Sequence, residues 1–286
     1  MSTSTIKEPD IAYAREHIVI TPPGRLNLPP WRAMWQAREV AVRLAQRDII
    51  VRYRQTFFGI AWVVLQPLVG AGIFTIVFGV IAGLPTGKIP TFLFTLAGML
   101  AWNLFSGALG RASSSMVANQ ALVQKVFFPR ALVPLSSLAS VLVDFAVGLL
   151  LAIALLFVFG INPGWPVLLL PIWVALMLLI GTGIGLAAAA YMVKYRDVGY
   201  VLPWVVQILL YASPVAYALA VVPHGIRWLF DINPATWFLE CFRWSLLGTE
   251  APSAWQVLAL VIAAPIVFLL GLLVFQKNER EFADYI

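Results

Sequence analysis

Residues 132–159 read LVPLSSLASVLVDFAVGLLLAIALLFVF, an apolar run with a single charge, Asp144. About 20 helical residues cross the roughly 30 Å of hydrocarbon in a bilayer, so this run is long enough to span. Five more stretches have the same character, at 60–83, 91–110, 166–190, 199–222 and 255–275. Pro85, Pro90, Pro163, Pro166, Pro223 and Pro252 stand in or beside the turns between them, where proline ends a helix. Composition agrees: 61% of residues are hydrophobic, 11% are charged and the mean hydropathy is +0.89, more apolar surface than one water-soluble core can bury. The expected fold is an all-α integral membrane protein with six transmembrane helices. Residues 1–30 are expected to be a cytosolic tail, 31–58 an amphipathic interfacial helix, and 59–286 the six-span domain.

Charge orients the spans, because Lys and Arg collect in cytoplasmic loops. Of the 19 Lys and Arg residues, all but Lys88, Arg227 and Arg243 fall in the tail, the second and fourth loops and the C-terminal end. Both termini are therefore expected on the cytoplasmic side. The net charge of +6 reads as membrane topology, and no nucleic-acid partner is needed to account for it. No apolar stretch with a small-residue cleavage site occurs in residues 1–30, so no signal peptide is expected. One cysteine, Cys241, excludes an internal disulfide and a Cys-based metal site.

Three segments outside the spans carry information. Arg32, Gln36, Glu39, Arg43, Gln46 and Arg47 recur at helical spacing opposite Met34, Ala37, Ala41, Leu44 and Ala45, the pattern of a helix lying along the interface. It runs into Arg47, Asp48, Arg52 and Arg54, which read either as a positive-inside anchor or as a docking surface for a cytosolic partner. In the second loop, Gln124, Lys125, Phe127, Phe128 and Arg130 place two aromatic rings where water is expected. Those rings either dock in a groove of another protein or lie on the bilayer surface. Between Pro223 and Pro252, the apolar pieces 226–230 and 237–247 are too short to span and suggest re-entrant or interfacial helices. Trp228, Trp237, Trp244 and Trp255 suit the headgroup level, with Asp231, Glu240 and Arg243 facing water or each other.

Catalytic constellations are missing from the spans. His17 and His224 are too far apart in sequence to suggest a metal pair, and no metal site is expected. Residues 83–89 superficially resemble a phosphate loop, but they lack its spacing and the hydroxyl residue after Lys88, so the chain is not expected to bind ATP. Asp144 is the one charge in its span and reads either as a functional buried carboxylate or as a structural, neutral one bonded to a neighbouring helix; on the structural reading Asp144→Asn would leave transport largely intact. Gly181, Gly185 and Ala189 share a face suited to close helix contact. Trp62, Gln66, Phe94, Trp102, Asn103, Phe105, Gln207, Tyr211 and Tyr217 give the membrane interior polar but uncharged groups. Such groups suit a path for neutral sugar, and packing accounts for most of the aromatics equally well.

Several motifs, in order, resemble a known family. Arg47-Asp48-Ile49, Arg52-Tyr53-Arg54-Gln55-Thr56, Gly59, Trp62 and Gln66-Pro67 lead into the first span. Lys125 to Arg130 follow in the second loop, then Lys194-Tyr195-Arg196-Asp197-Val198 in the fourth, with Ser213-Pro214-Val215 and Asn233-Pro234 beyond. Across residues 31–280 the sequence resembles the transmembrane subunit of an ABC-2 type polysaccharide exporter, the group that moves lipid-linked O-antigen, capsular polysaccharide or teichoic acid. The resemblance implies a homodimer in the bacterial cytoplasmic (inner) membrane, working with two copies of a separate ATPase that holds the ATP and Mg. It adds Lys194, Arg196 and Asp197 to the coupling residues. A multispan enzyme acting on lipid-linked sugars and an ion-coupled carrier are the alternatives from other classes.

Overall fold

The computed structural model describes residues 31–54, 61–87, 89–126, 128–279 and 282. The expectations for the 1–30 tail, for residues 55–60 and for Phe127 fall outside that set. The described chain is helical throughout. Helix α1 (Trp31–Gln36) and α2 (Arg38–Arg54) precede α3 (Ala61–Phe74), which continues as a π-helical segment Thr75–Ile81. Then come α4 (Thr91–Ala118), α5 (Gln120–Lys125), α6 (Leu132–Val158) and α7 (Leu170–Lys194), the last entered through a 3-10 turn, Trp165–Leu169. Helix α8 (Val198–Tyr211), α9 (His224–Ile232), α10 (Pro234–Leu247) and α11 (Ala254–Asn278) complete the chain.

Five of these helices are long and apolar enough to cross a bilayer: Ala61–Ile81, Thr91–Ala118, Leu132–Val158, Trp165–Lys194 and Ala254–Asn278. They match five of the six expected spans. The expected continuous helix over 199–222 is corrected, because α8 stops at Tyr211. Its 14 residues reach about 21 Å, short of the roughly 30 Å of hydrocarbon. Pro214 disfavours helical backbone at Ser213 and supplies no N–H. The chain continues as irregular backbone through the buried residues 213–216 before a 3-10 turn, Leu219–Val221.

Irregular backbone at membrane depth is tolerable only where protein satisfies its polar groups. Arg243 of α10 does so, donating from Nη1 to Pro214 O at 2.7 Å and from Nη2 to Val215 O. Asn233 Nδ2 adds a bond to Ser213 Oγ at 2.9 Å. Of the two expectations for Arg243, facing water or facing its charged neighbours, the second holds: its side chain is wholly buried, with Nη1 3.4 Å from Glu240 Oε1 and the guanidinium 3.9 Å from the Phe94 ring centroid. Only Gly fits at position 98 of α4, since a Cβ there would lie 2.1 Å from Val215 O and 2.4 Å from Arg243 Nη2.

Helix α4 is the most enclosed of the five long helices and packs on α3, α6, α7 and α10. Small residues let α7 approach two partners. Gly181 and Gly185 meet Phe105 O, Ala108, Leu109 and Ala112 of α4, while Gly183 meets the α11 backbone at Val267, Phe268 and Gly271. The Gly181–Gly185 face thus makes the close contact that its spacing suggested, and Gly183 makes a second. A separate apolar cluster at the other end of the bundle joins Met34, Leu44, Val123, Phe128, Leu186, Phe275 and Phe282.

Candidate coupling surface and polar cavity

Helices α1 and α2 together have the predicted amphipathicity, with a turn at Ala37 dividing the single helix expected there. Arg32, Gln36, Glu39, Arg43, Gln46 and Arg47 are exposed, while Met34 and Leu44 are buried in the apolar cluster. Helix α2 lies against α6, and its last two turns reach into other elements. Arg47 bonds Asp48 at 2.7 Å and also the side chain of Asn119, just before α5, tying two of the basic segments together.

One turn further on, Arg52 Nη2 lies 2.5 Å from Asp144 Oδ2, and the Tyr53 hydroxyl donates to Asp144 Oδ1 at 2.5 Å. Asp144 is therefore bonded to another helix, as its structural reading expected, whereas its charged partner, Arg52, was not expected. Its partners come from the segment just before the first span, and both oxygens of its carboxylate are engaged. Burial, and then the hydrogen bond to Asp144, push the Tyr53 phenol up to about 12, so it remains a donor across the physiological range.

The expected coupling residues separate into two groups. Arg54, Gln124, Lys125, Lys194, Arg196 and Asp197 are exposed, the last three around the turn between α7 and α8. Arg52, Phe128 and Arg130 point inward: Phe128 is 8% exposed within the apolar cluster, and Arg130 donates to Glu279 O at 2.6 Å. The reading of Phe128 as an exposed ring awaiting a partner is thus corrected, because its own chain already covers it. Phe128→Ala is expected to destabilise the protein by about 3 kcal/mol through the cavity it leaves. Thermal unfolding in detergent checks this; an unchanged midpoint would return Phe128 to the list of docking candidates.

The expected path residues also divide. Phe94, Trp102 and Phe105 are 5%, 3% and 2% exposed, packed among Arg243, Phe238 and one another. They are core residues of the chain, which corrects their assignment to a path. Trp62, Gln66, Asn103, Gln207 and Tyr211 are exposed, and Tyr217 is half-buried. Gln207 donates to the Tyr211 hydroxyl at 3.1 Å. Tyr217 joins an aromatic row in which Phe74 stacks on Phe78 at 5.7 Å, Phe78 meets Tyr217 at 5.9 Å and Tyr217 meets Phe230 at 6.3 Å. The row links the π-helical end of the first span to α9. Of the tryptophans expected at the headgroups, Trp228 and Trp255 are exposed, whereas Trp237 is buried.

Arg52 and Asp144 share a cavity of ≈ 310 Å³ with Gln66, Asn103, Ser106 and Arg111. It places an expected coupling residue, Arg52, beside two expected path residues, Gln66 and Asn103. Sequence reasoning assigned no role to Tyr53 or Arg111 individually, although both belong to basic segments it had marked.

These elements, from α2 to α10, coincide with residues 40–247, which match the family model described as ABC-2 type transporter. The chain belongs to the ABC-2 type transporter family. Two proteins similar to this ABC-2 chain are each named O-antigen export system permease protein RfbA. The one from Myxococcus xanthus is 26% identical over 257 residues, covering 89% of this chain and 98% of that protein. The one from Klebsiella pneumoniae is 26% identical over 255 residues, covering 86% and 94%. Both alignments cover nearly the whole length of the ABC-2 relative.

Proposed function

We propose that this chain is the membrane subunit of an ATP-driven exporter of lipid-linked polysaccharide in the bacterial inner membrane. Two copies of the chain act with two copies of a separate ATP-hydrolysing subunit, which holds the ATP and Mg. The observation that carries this reading is the family match together with near full-length similarity to two O-antigen export permeases. The exposed charged set Arg54, Lys125, Lys194, Arg196 and Asp197 supports a docking surface for the ATPase, with both termini on its cytoplasmic side.

A second copy is supported by what the first span and α8 leave uncovered. Helix α3 and its π-helical extension are the least enclosed of the spanning helices, and α8 buries no residue. They leave Gln207 of α8 exposed, where lipid would solvate an amide poorly. Paired protomers turn those faces toward each other and leave a polar, aromatic seam for sugar. The carrier alternative loses its basis in a lone carboxylate, because Asp144 is paired with Arg52.

The test is deletion of the chain combined with affinity capture. Deletion is expected to leave lipid-linked polysaccharide on the inner face of the membrane, and the tagged chain to bring down an ATPase. Normal surface polysaccharide after deletion, with no ATPase in the captured material, would refute the reading.

A further inference from the structure

The cavity between α2, α3, α4 and α6 has a wall of unbalanced charge. Its polar lining is Arg52, Gln66, Asn103, Ser106, Arg111 and Asp144, at a volume of ≈ 310 Å³. Asp144 is the one carboxylate lining it among the described residues, and Arg52 and Tyr53 already hold both its oxygens. A cation entering the cavity meets an occupied carboxylate and a second guanidinium. An anion meets two guanidiniums and two amides able to donate. A guanidinium offers planar, paired donors that match the oxygens of a phosphate.

The position of the cavity suits such a group. Arg52 lies just before the first span, and Arg111 is seven residues before the end of α4 at Ala118, about 10 Å along the helix. That depth is within reach of a headgroup, and long Arg side chains extend toward the interface. Gln66 and Asn103 line the cavity and are both exposed there, so its polar wall is accessible from outside the packed core. An apolar tail attached to a bound phosphate can stay outside the protein in hydrocarbon.

We propose that this cavity binds the phosphate ester group of a membrane amphiphile, held by Arg52 and Arg111, with the Gln66 and Asn103 amides donating to its remaining oxygens. If the chain is an exporter of lipid-linked polysaccharide, the charged end of the lipid carrier is the ligand, and that identity alone rests on the exporter reading. A resident anionic phospholipid offers the same chemistry.

The experiment uses the full chain purified in uncharged detergent, together with any ATPase that accompanies it. Binding of geranylgeranyl diphosphate, geranylgeraniol and phosphatidylglycerol is followed by tryptophan fluorescence and by native mass spectrometry. A phosphate-bearing amphiphile is expected to bind at least about tenfold more tightly than the alcohol, and Arg111→Gln to weaken it by about tenfold, the usual scale for a lost charge-assisted hydrogen bond. Arg111→Lys keeps the charge without the fork and is expected to lose less. Asn103→Leu, which carries no charge change, is expected to weaken binding a few-fold and provides the test if the Arg111 variants do not fold.

Tighter binding of the diphosphate than of phosphatidylglycerol assigns the site to the carrier, and the reverse order assigns it to bulk lipid; both support a phosphate site. Equal binding of alcohol and diphosphate, or binding unaffected in the folded variants, overturns it. Binding without polysaccharide export would sink the exporter reading and leave the site standing, whereas export without binding does the opposite.

Discussion

Replacing Arg243 with methionine is expected to be the most damaging single change around the end of α8, costing about 3–5 kcal/mol, the range for removing one member of a buried charged network. Methionine keeps much of the apolar stem but removes the donors that reach Pro214 O and Val215 O. Those carbonyls are buried at the point where α8 has ended and no helix partner is available. Glu240 Oε1, 3.4 Å from Arg243 Nη1, loses its counter-charge in the same step. Arg243→Lys is expected to recover part of the loss, because one ammonium cannot reproduce two parallel bonds to successive carbonyls. The checks are thermal unfolding and hydrogen exchange at 212–218. A variant with unchanged exchange there would mean that the irregular backbone after α8 is held by something other than Arg243.

That irregular stretch also marks the boundary of what sequence can reveal. Five spans were legible because length and hydropathy alone decide a crossing, and the amphipathic α2 because helical spacing separates its faces. Residues 199–222 looked like a sixth continuous helix since their composition does not distinguish helix from irregular apolar backbone. Pro214 was the local signal, but the compensating group lies 28 or 29 residues away in α10. Arg243 itself looked like a charge facing water or Glu240, because sequence shows i,i+3 neighbours and hides partners from another element. Asp144 was only partly legible for the same reason: a bond to another helix was expected, but Arg52 and Tyr53 are 92 and 91 residues away in the chain, so inspection of its own span could not name them. The π-helical stretch Thr75–Ile81 likewise has no hydropathy signature. Of the candidate path, the exposed amides were separable from the core aromatics only once burial was known. Chemical type suggested both, and packing removed Phe94, Trp102 and Phe105.

Asp144→Ala is expected to separate docking from transport. Helix α2 ends in Arg54, which is exposed, while Arg52 and Tyr53, two residues and one residue earlier, are fastened to α6 through Asp144. On the proposed route, a push from the ATPase on the exposed charges reaches the membrane helices through this contact. Alanine removes both acceptors at once and leaves Arg52 without its carboxylate. The pair is partly open to solvent, with side-chain exposures of 31% and 24%, so the loss is placed near the lower end for charged hydrogen bonds, about 2 kcal/mol in the α2–α6 contact. Asp144→Asn keeps one carbonyl acceptor and is expected to lose less. Capture of the ATPase should be unaffected, because Lys125, Arg196 and Asp197 remain exposed as before. Export should fall by roughly tenfold or more, in proportion to the weakened contact. Tyr53→Phe removes only the Oδ1 bond and should give an intermediate result, while exchanging the charges, with Arg52→Asp and Asp144→Arg together, should restore part of the activity if the pair acts as a mechanical link. Wild-type export by a folded Asp144→Ala chain would show that force does not pass through this contact, and loss of ATPase capture would place Asp144 in docking instead.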